Sequence, residues 1–490
     1  MHRRRRRGCY RGSAEGAHHL HRQGRQRLPD AYAAPARFRP EQFGCAAYPV
    51  HMCLFGGGRH ARLAIAGADQ GPGPYRARRG SRTGALQRVR HSDAGTAEGR
   101  ILLRPAADIL TGIMLLLDRS RIETLAAVAG DDSRAAHSMP GWYYNDPAMF
   151  EQEKLSLFAD GWVCAGHASE IASPGQYMAV KIGDEPVVVV RDRKGDVRAY
   201  SNVCRHRGMA LVEGKGKAAV LTCPYHAWSY DLDGALRKAP YMDEVEGFDP
   251  AACALPEFAL EEWRGFLFVN TGNNAPPLAP DLAALEPFVA NYRIEERHST
   301  ETWFEEWGTN WKSLVENFME GYHLSVTHAT TLDSITPTEL CEKLATGKGF
   351  TAYRSNYRDS SPQREPFPKD LTEQERRSSV LFNVYPNFVI TVGPNCAVFL
   401  ILLPETPETV NIKMGILVQE GADELPETEA YINLAHEFNA EDRMMLEAIQ
   451  RNSRSAHRPS SPLAPEALEG TIWDFTRHVA RHLTGHAGGA

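Results

Sequence analysis

Two cysteine–histidine pairs, Cys204-x-His206 and Cys223-x-x-His226, fall within 23 positions of a chain whose 490 residues include nine cysteines in all. Four metal-binding side chains gathered so tightly constrain a fold more than any apolar pattern does, because two loops must be held side by side for the donors to meet. The flanking sequence fits that demand. Short β-like runs are expected over 177–182, 187–191, 197–203, 220–222, 227–231 and 265–270, and Arg193-Lys194-Gly195-Asp196 reads as a hairpin turn. The pairs then sit at the tips of β-loops. Three explanations fit the residues alone: a structural Cys2His2 zinc site, an iron–sulfur centre, or an accidental grouping. A Cys-x-His spacing places ligands of different hardness on one loop, which suits a centre whose two irons want different ligands, thiolate for one and neutral imidazole for the other.

Around this small β domain the chain divides readily. Residues 114–160 form an N-terminal helical segment, with a helix expected from 142 to 162 carrying Phe150, Leu155, Leu157 and Phe158. The β domain spans 161–272, a linker spans 273–288 and opens on a Gly/Asn/Pro run, and a second domain spans 289–487. In that domain a strand is expected at 303–307 and a helix at 309–324, with apolar residues at Trp311, Leu314, Val315, Phe318, Met319 and Tyr322. Residues 341–378 are polar and read as loop-rich. Strands follow at 380–385, 388–392, 397–403 and 411–418, then helices over 426–451 and 472–483. The expected class is α+β: an antiparallel sheet with helices on one side.

The second domain carries its own candidates. Glu320 and His323 are three apart and share a face of the expected helix, whereas His323 and His328 are five apart, about 140° out of phase on a regular helix. Both histidines reach one ion only if the helix ends or bulges between them. On the 426–451 helix, the apolar stripe Tyr431, Leu434, Phe438, Met445 and Ile449 has a gap filled by Asp442. A carboxylate on a core face is costly unless it is paired, so Asp442 is either the carboxylate of a two-His-one-carboxylate iron site or the partner of a buried cation. Its neighbour Glu441 is passed over as a ligand. Tyr385, Phe388 and Phe399 are candidate pocket aromatics, although core packing explains them equally well.

Composition limits the remaining classes. The chain is 42% hydrophobic and 24% charged, with a formal charge of −6, which argues against a general nucleic-acid binder. Its longest apolar stretch, 109–117, is interrupted by Thr111 and Gly112 and falls far short of the ~20 residues of a membrane span. Nine cysteines are too few for a disulfide scaffold, so a reducing, cytoplasmic setting is expected. The average hides an unusual start. Residues 1–113 hold 21 Arg, no Lys and 7 Asp plus Glu, a charge of +14, leaving −20 for the remainder. The first Asn is Asn145 and the first Lys is Lys154. This segment is expected to be disordered. It fits a targeting peptide, a basic arm, or translated sequence upstream of a true start at Met114; His18, His19 and His21 within it are read as scattered residues without a site.

The runs Asn202-Val203-Cys204-Arg205-His206-Arg207-Gly208 and Cys223-Pro224-Tyr225-His226-Ala227-Trp228 closely resemble the Rieske [2Fe–2S] motif of the Rieske non-heme iron oxygenases. The acid-x-x-His-x4-His pattern of Glu320, His323 and His328 resembles the catalytic domain of the ring-hydroxylating oxygenase alpha subunits. The resemblance spans roughly 140–485 and implies a Rieske domain joined to a helix-grip catalytic domain. It implies Cys204, His206, Cys223 and His226 as ligands of one [2Fe–2S] cluster, and His323, His328 and Asp442 as ligands of one Fe(II). It also implies Glu320 as a bridge, in a homotrimer or a multiple of one, from His226 of the partner subunit to His323. Electrons from NAD(P)H would arrive through a separate reductase, with or without a ferredoxin, and the substrate would be oxidised by O2. Glu rather than Asp at 320 is a feature of members acting on quaternary amines, which tilts the substrate from aromatic compounds toward small methylated or quaternary amines. Respiratory Rieske proteins carry an extra cysteine in each loop; Met209 and Tyr225 stand there instead, so no disulfide forms and the potential is expected toward the low end of the roughly −150 to +300 mV Rieske range. A shorter electron carrier of Rieske type is the alternative, and it leaves the second His-His-Asp set without a purpose.

Overall fold

Val187, Val188, Val189 and Val190 are four consecutive β-branched residues, all fully buried, and a strand buried on both faces is the structure such a run favours. In the computed structural model, which describes residues 117–130, 136–363, 365–458 and 460–485, they lie in strand β3 (Glu185–Arg191). Successive side chains point to opposite faces. Val188 and Val190 enter the core that contains Cys204, Cys223 and Tyr230, while Val187 and Val189 enter the core that runs on into the second domain. One strand thus joins the loop-bearing module to the body behind it. The remaining strands of this sheet are β1 (Val163–His167), β2 (Gln176–Ile182), β4 (Val197–Ser201), β5 (Lys215–Lys217), β9 (Glu257–Trp263) and β10 (Phe266–Asn270), in the order β1-β10-β9-β4-β3-β2-β5. A smaller sheet contains β6 (Leu221–Thr222), β7 (Ser229–Tyr230) and β8 (Leu236–Lys238). The 193–196 turn forms as expected: Gly195 has φ +96°, and the Asp192 carboxylate accepts from the amides of Lys194 at 2.8 Å and Asp196 at 3.0 Å.

The second domain is a seven-stranded antiparallel sheet: β11 (His298–Trp307), β12 (Cys341–Thr346), β13 (Phe350–Asn356), β14 (Ser378–Val384), β15 (Phe388–Val392), β16 (Cys396–Thr406) and β17 (Thr409–Val418), ordered β11-β17-β16-β15-β14-β13-β12. The alternation of β16 shows what covers it. Val398, Leu400 and Leu402 share a core with Trp311 and Leu314 of helix α1 (Trp311–Phe318) and Phe475 of α4 (Glu466–Thr484). Phe399 and Ile401 meet Phe266, Phe268 and Phe388 on the opposite face. The long helices therefore lie on one side, and strand β10 of the Rieske-like module closes the other together with the short helices Leu278–Leu282 and Glu286–Val289, so the expectation of helices on one side holds for the long ones. Along the helical side runs the long helix α3 (Pro426–Asn452). Asn387 ties the seam: its amide oxygen accepts from Cys164 N at 2.9 Å, and its amide nitrogen donates to Cys164 O and Leu402 O, both at 3.2 Å. No helix among the described residues is long and apolar enough to cross a membrane.

Three expectations are corrected. Residues 341–378 are only partly loop, since β12 and β13 occupy 13 of them and the short helix Glu373–Arg376 four more. The helix expected over 142–162 is three pieces, Trp142–Asn145, Pro147–Glu153 and the π-helical turn Lys154–Phe158, because Pro147 starts a new helix capped by the Asp146 carboxylate. The stretch read as a linker includes a helix, Leu278–Leu282, with both terminal leucines buried. The readings made on residues 1–113, including His18, His19 and His21, lie outside the described residues.

A buried ion pair crosses the interface between the modules. Lys413 on β17 holds the Glu170 carboxylate at 2.7 Å, with both side chains almost fully covered and Lys215 at 3.0 Å from the other carboxylate oxygen. Burial alone would raise the Glu170 pKa, but Lys413 outweighs it and holds the carboxyl below its usual range. Lys413→Met leaves the carboxylate buried with Lys215 and the His167 amide as its remaining partners, and is expected to cost about 3 kcal/mol in chemical denaturation. Since the folded-state pKa is depressed, the pair's contribution is complete above the ordinary Glu value of about 4.3 and is lost as pH falls through the lower folded value. The variant should therefore show a shallower acid loss of stability.

Candidate metal centres

The two Cys–His loops have the same backbone design. In the first, Gly208 N donates to Cys204 O at 3.0 Å and Cys204 N to Met209 O at 2.8 Å. In the second, Ala227 N donates to Cys223 O at 3.0 Å and Cys223 N to Trp228 O at 2.8 Å. Each turn closes on a left-handed residue, Gly208 at φ +77° and Ala227 at φ +59°. Both cysteines are buried, His206 is exposed and His226 is half-buried. The histidines present the same ring atom to each other, Nδ1 to Nδ1, 3.1 Å apart. Donors at right angles on one ion, each ~2.1 Å from it, would be separated by about 3 Å. Burial, with His206 and Arg207 nearby, lowers the His226 pKa and favours the neutral, ligating imidazole. Trp228 stacks on His206 with centroids 5.0 Å apart. Tyr230 Oη accepts from Arg205 N at 3.0 Å, so its own proton is available to Cys204 Sγ at 3.4 Å.

The second group is assembled by a helix that stops early. Asn310 caps α1 through Lys312 N at 2.9 Å, and α1 ends at Phe318 rather than running on to 324. Glu320 stops it. One of its carboxylate oxygens takes the amide protons of Tyr322 and His323, donors a continuing helix would have used, and the other meets His323 Nδ1. Glu320 and His323 thus share a bend rather than a helix face. Gly321 lets this bend pack, since a Cβ there would sit 2.4 Å from Cys341 Sγ on β12. The one-turn helix α2 (Leu324–Thr327) then has His323 at its N-terminus and His328 at its C-terminus. The expected helix thus breaks upstream of both histidines, and the one-turn helix between them ends at Thr327, just before His328, as their spacing required.

Asp442 meets them from α3. His323 Nε2 and His328 Nε2 are 3.2 Å apart, and Asp442 Oδ1 is 3.2 Å from His328 Nε2 and 3.6 Å from His323 Nε2. Each imidazole has a carboxylate on its far nitrogen: Glu320 on His323 Nδ1, and Glu441 on His328 Nδ1 at 2.7 Å. Those contacts keep the protons on Nδ1, so both Nε2 lone pairs face a carboxylate oxygen. Three acceptors at 3 Å repel one another unless a cation sits among them. Asp442 Oδ1 is buried without a hydrogen-bond partner among the described residues, as such a site requires. His323, His328 and Asp442 could hold one metal ion. Burial works against a charge on His323, but Glu320 and then Asp442 outweigh it and hold its pKa above the ordinary value. Among the described residues no Lys or Arg pairs with Asp442, so the buried-cation alternative is not realised there.

Beside this triad is a cavity of about 150 Å³ lined by Phe318, Tyr353, Tyr357, Tyr431, Leu434, Phe438 and Arg376, among others. The stripe on α3 is only half as expected. Tyr431, Leu434 and Phe438 face the cavity, whereas Met445 and Ile449 are exposed and Leu446 is buried in their place. Of the aromatic candidates, Phe388 and Phe399 belong to the core on the opposite sheet face and Tyr385 packs against Phe475 and His478. Glu441, passed over as a ligand, orients one. Its position next to Asp442, one step off the helix's inner face, was the available signal.

Known proteins match in both parts. The Rieske [2Fe-2S] domain matches residues 161–249, and the ring hydroxylating alpha subunit (catalytic domain) matches residues 289–485. The carnitine monooxygenase oxygenase subunit of Acinetobacter baumannii is 32% identical over 339 residues, covering 65% of this chain and 86% of that protein. The glycine betaine monooxygenase oxygenase subunit of Chromohalobacter salexigens is 40% identical over 201 residues, covering 41% and 45%. A solved quaternary ammonium Rieske monooxygenase in complex with L-carnitine superposes with TM-score 0.63 at 28% identity, covering 73% of this chain and 97% of that one.

Two variants test the local geometry. Tyr230→Phe removes a hydrogen bond to sulfur that stabilises the reduced, more negative centre. A difference of about 1 kcal/mol corresponds to about 40 mV for a one-electron couple, so the midpoint in spectroelectrochemical titration should fall by that order. Glu441→Ala frees the His328 ring, and mononuclear iron affinity, measured by chelator competition, should drop about 10–100-fold.

Proposed function

The chain belongs to the ring-hydroxylating alpha-subunit family of Rieske oxygenases, and from that premise we propose that it oxidises a quaternary ammonium compound at a carbon attached to nitrogen. It is a terminal oxygenase component, a role its relatives share. The observation that carries the catalytic reading is the triad itself: three acceptor atoms within 3.6 Å of one another at the edge of an aromatic cavity, one of them buried without a hydrogen bond. We assign Cys204, His206, Cys223 and His226 to a [2Fe–2S] cluster, and His323, His328 and Asp442 to mononuclear Fe(II). When bound, these groups supply one-electron delivery and O2 activation.

The chain's own residues do the rest. Glu320 and Glu441 hold the protons of His323 and His328 on Nδ1 and leave both Nε2 atoms free to ligate. Phe318, Tyr353, Tyr357, Tyr431 and Phe438 present ring faces and edges, the surroundings a permanent cation prefers where no second carboxylate is available. Asp442 is the sole carboxylate among the described residues that line the cavity, and it faces the histidines. A strictly apolar aromatic substrate would have little use for that many phenol groups. The chain has no dinucleotide fingerprint in the notable places of its sequence, so a separate reductase is the electron source.

Assembly belongs to the same proposal. Near the cluster loops Met209 and Tyr225 are exposed, and near His323 so are Tyr322 and Val326, the last at 82%. Large apolar side chains left open at both centres support a head-to-tail ring of copies in which the partner subunit's His226 approaches Glu320. Glu320→Gln keeps an oxygen for His323 Nδ1 but removes the charge. Both centres should remain loaded, by metal analysis and electron paramagnetic resonance, while oxidation of the reduced cluster in the presence of substrate and O2 slows about 10–100-fold in stopped flow. Loss of mononuclear iron in that variant would instead give Glu320 a purely structural role.

A further inference from the structure

The cavity beside the triad contains a cation, Arg376, that no acid among the described residues pairs with. Arg376 ends the short helix Glu373–Arg376 and is the sole Lys or Arg among the lining residues. Its Nε is buried without a hydrogen-bond partner among the described residues, and its guanidinium lies 5.1 Å from the Phe367 ring centroid. The arginines around it are committed. Arg354 holds Glu342 at 2.9 Å, Arg358 holds Asp333 at 3.4 Å, and Arg377 donates to the carbonyls of Arg358 at 2.6 Å and Ser361 at 3.3 Å. The nearby acids are committed too: Glu375 accepts from Asn291 at 3.1 Å and Thr372 N at 2.6 Å, and Glu373 from Gln363 at 3.1 Å.

A guanidinium without an acid partner in a substrate chamber is costly unless the ligand brings an anion. Its planar fork matches a carboxylate with two parallel hydrogen bonds. The chamber is thus lined by charges of both signs, Asp442 with its histidines and Arg376, and by aromatic rings. We propose that Arg376 receives a carboxylate on the substrate and so selects zwitterions, an alkylated ammonium joined to a carboxylate, over simple quaternary cations. The proposal rests on the reading that this cavity is the substrate site. Arg376 binds and positions; it takes no part in the bond chemistry.

The test is equilibrium binding by calorimetry to the iron-loaded protein, using glycine betaine, γ-butyrobetaine, benzoate and choline as probes. A carboxylate probe should bind at least tenfold more tightly than choline. Arg376→Gln should lower carboxylate affinity tenfold or more, leave choline unchanged, and in turnover raise KM while kcat at saturation is retained. Arg376→Lys, which keeps the charge without the fork, should recover part of the loss and serves as the decisive variant if the Gln protein does not fold. Carboxylate affinity unchanged in either variant, choline equal to the betaines in the wild type, or no carboxylate binding would overturn the assignment. Benzoate preferred over both betaines, with that preference lost in Arg376→Gln, would uphold Arg376 and overturn the quaternary ammonium reading instead.

Discussion

Mutual repulsion at the triad is the constraint on which the structure turns. Two imidazole lone pairs and a carboxylate oxygen, none separated by more than 3.6 Å, are an arrangement that a chain without a cation would relax by rotating any one of them away. Rotation is blocked from outside. Glu320 and Glu441 grip the far edges of the two rings, and Asp442 stands on a 27-residue helix that packs along the sheet. The energy that holds the donors in place therefore comes from elsewhere, mainly from the core that Trp311, Leu314 and Phe475 share with β16 and β17. The fold builds the site by packing, and the ion has only to fill it.

The two centres use histidine in opposite senses, for a physical reason that is visible in each. At the cluster loops the rings meet through Nδ1; at the triad they meet through Nε2. An imidazole has one lone pair when neutral, and whichever nitrogen is given a hydrogen-bond acceptor keeps the proton. Carboxylates behind His323 and His328, Glu320 buried and Glu441 half-buried, settle that choice inside the domain. At the loops the rings are instead open to their surroundings, with Trp228 stacked on His206 and Tyr225 against His226. A centre that must exchange electrons with other molecules has reason to keep its imidazoles at the surface, whereas a centre that must exclude water has reason to clamp them.

What could be read in the sequence was whatever depended on short spacing. The Cys–His pairs, the strands around them and the His323–His328 pair follow from local pattern and residue chemistry, whereas Asp442, more than a hundred residues on, was marked only by its place in a helix stripe of which half faces inward. One misreading arose because a polar side chain does not say whether it faces solvent or a site. Thr351, Tyr353 and Ser355 on β13 made 341–378 look like loop, yet Thr351 and Ser355 are buried and Tyr353 and Ser355 face the cavity. The end of α1 was hidden for the opposite reason. Its apolar series continues through Met319 and Tyr322, and only the Glu320 side chain, by capturing two backbone amides, stops the helix. Aromatic residues in strands were ambiguous because alternation separates two faces without saying which one is hollow.

Asp442 shows how that ambiguity is resolved once coordinates exist. The inner face of α3 buries several polar side chains, and burial alone does not distinguish them. Thr428 donates to Ala422 O at 2.7 Å, Asn439 donates to Ala435 O at 2.7 Å, and Gln450 accepts from Asn310 N at 3.0 Å. Each is satisfied by protein and so reads as a structural residue. Asp442 alone on that face keeps a buried oxygen with no hydrogen-bond partner among the described residues, and its nearest neighbours are two ring nitrogens whose partners on the far side, Glu320 and Glu441, draw the protons to Nδ1. A buried polar group answered by the chain belongs to the fold. One that the chain surrounds with further acceptors belongs to whatever the fold was built to hold.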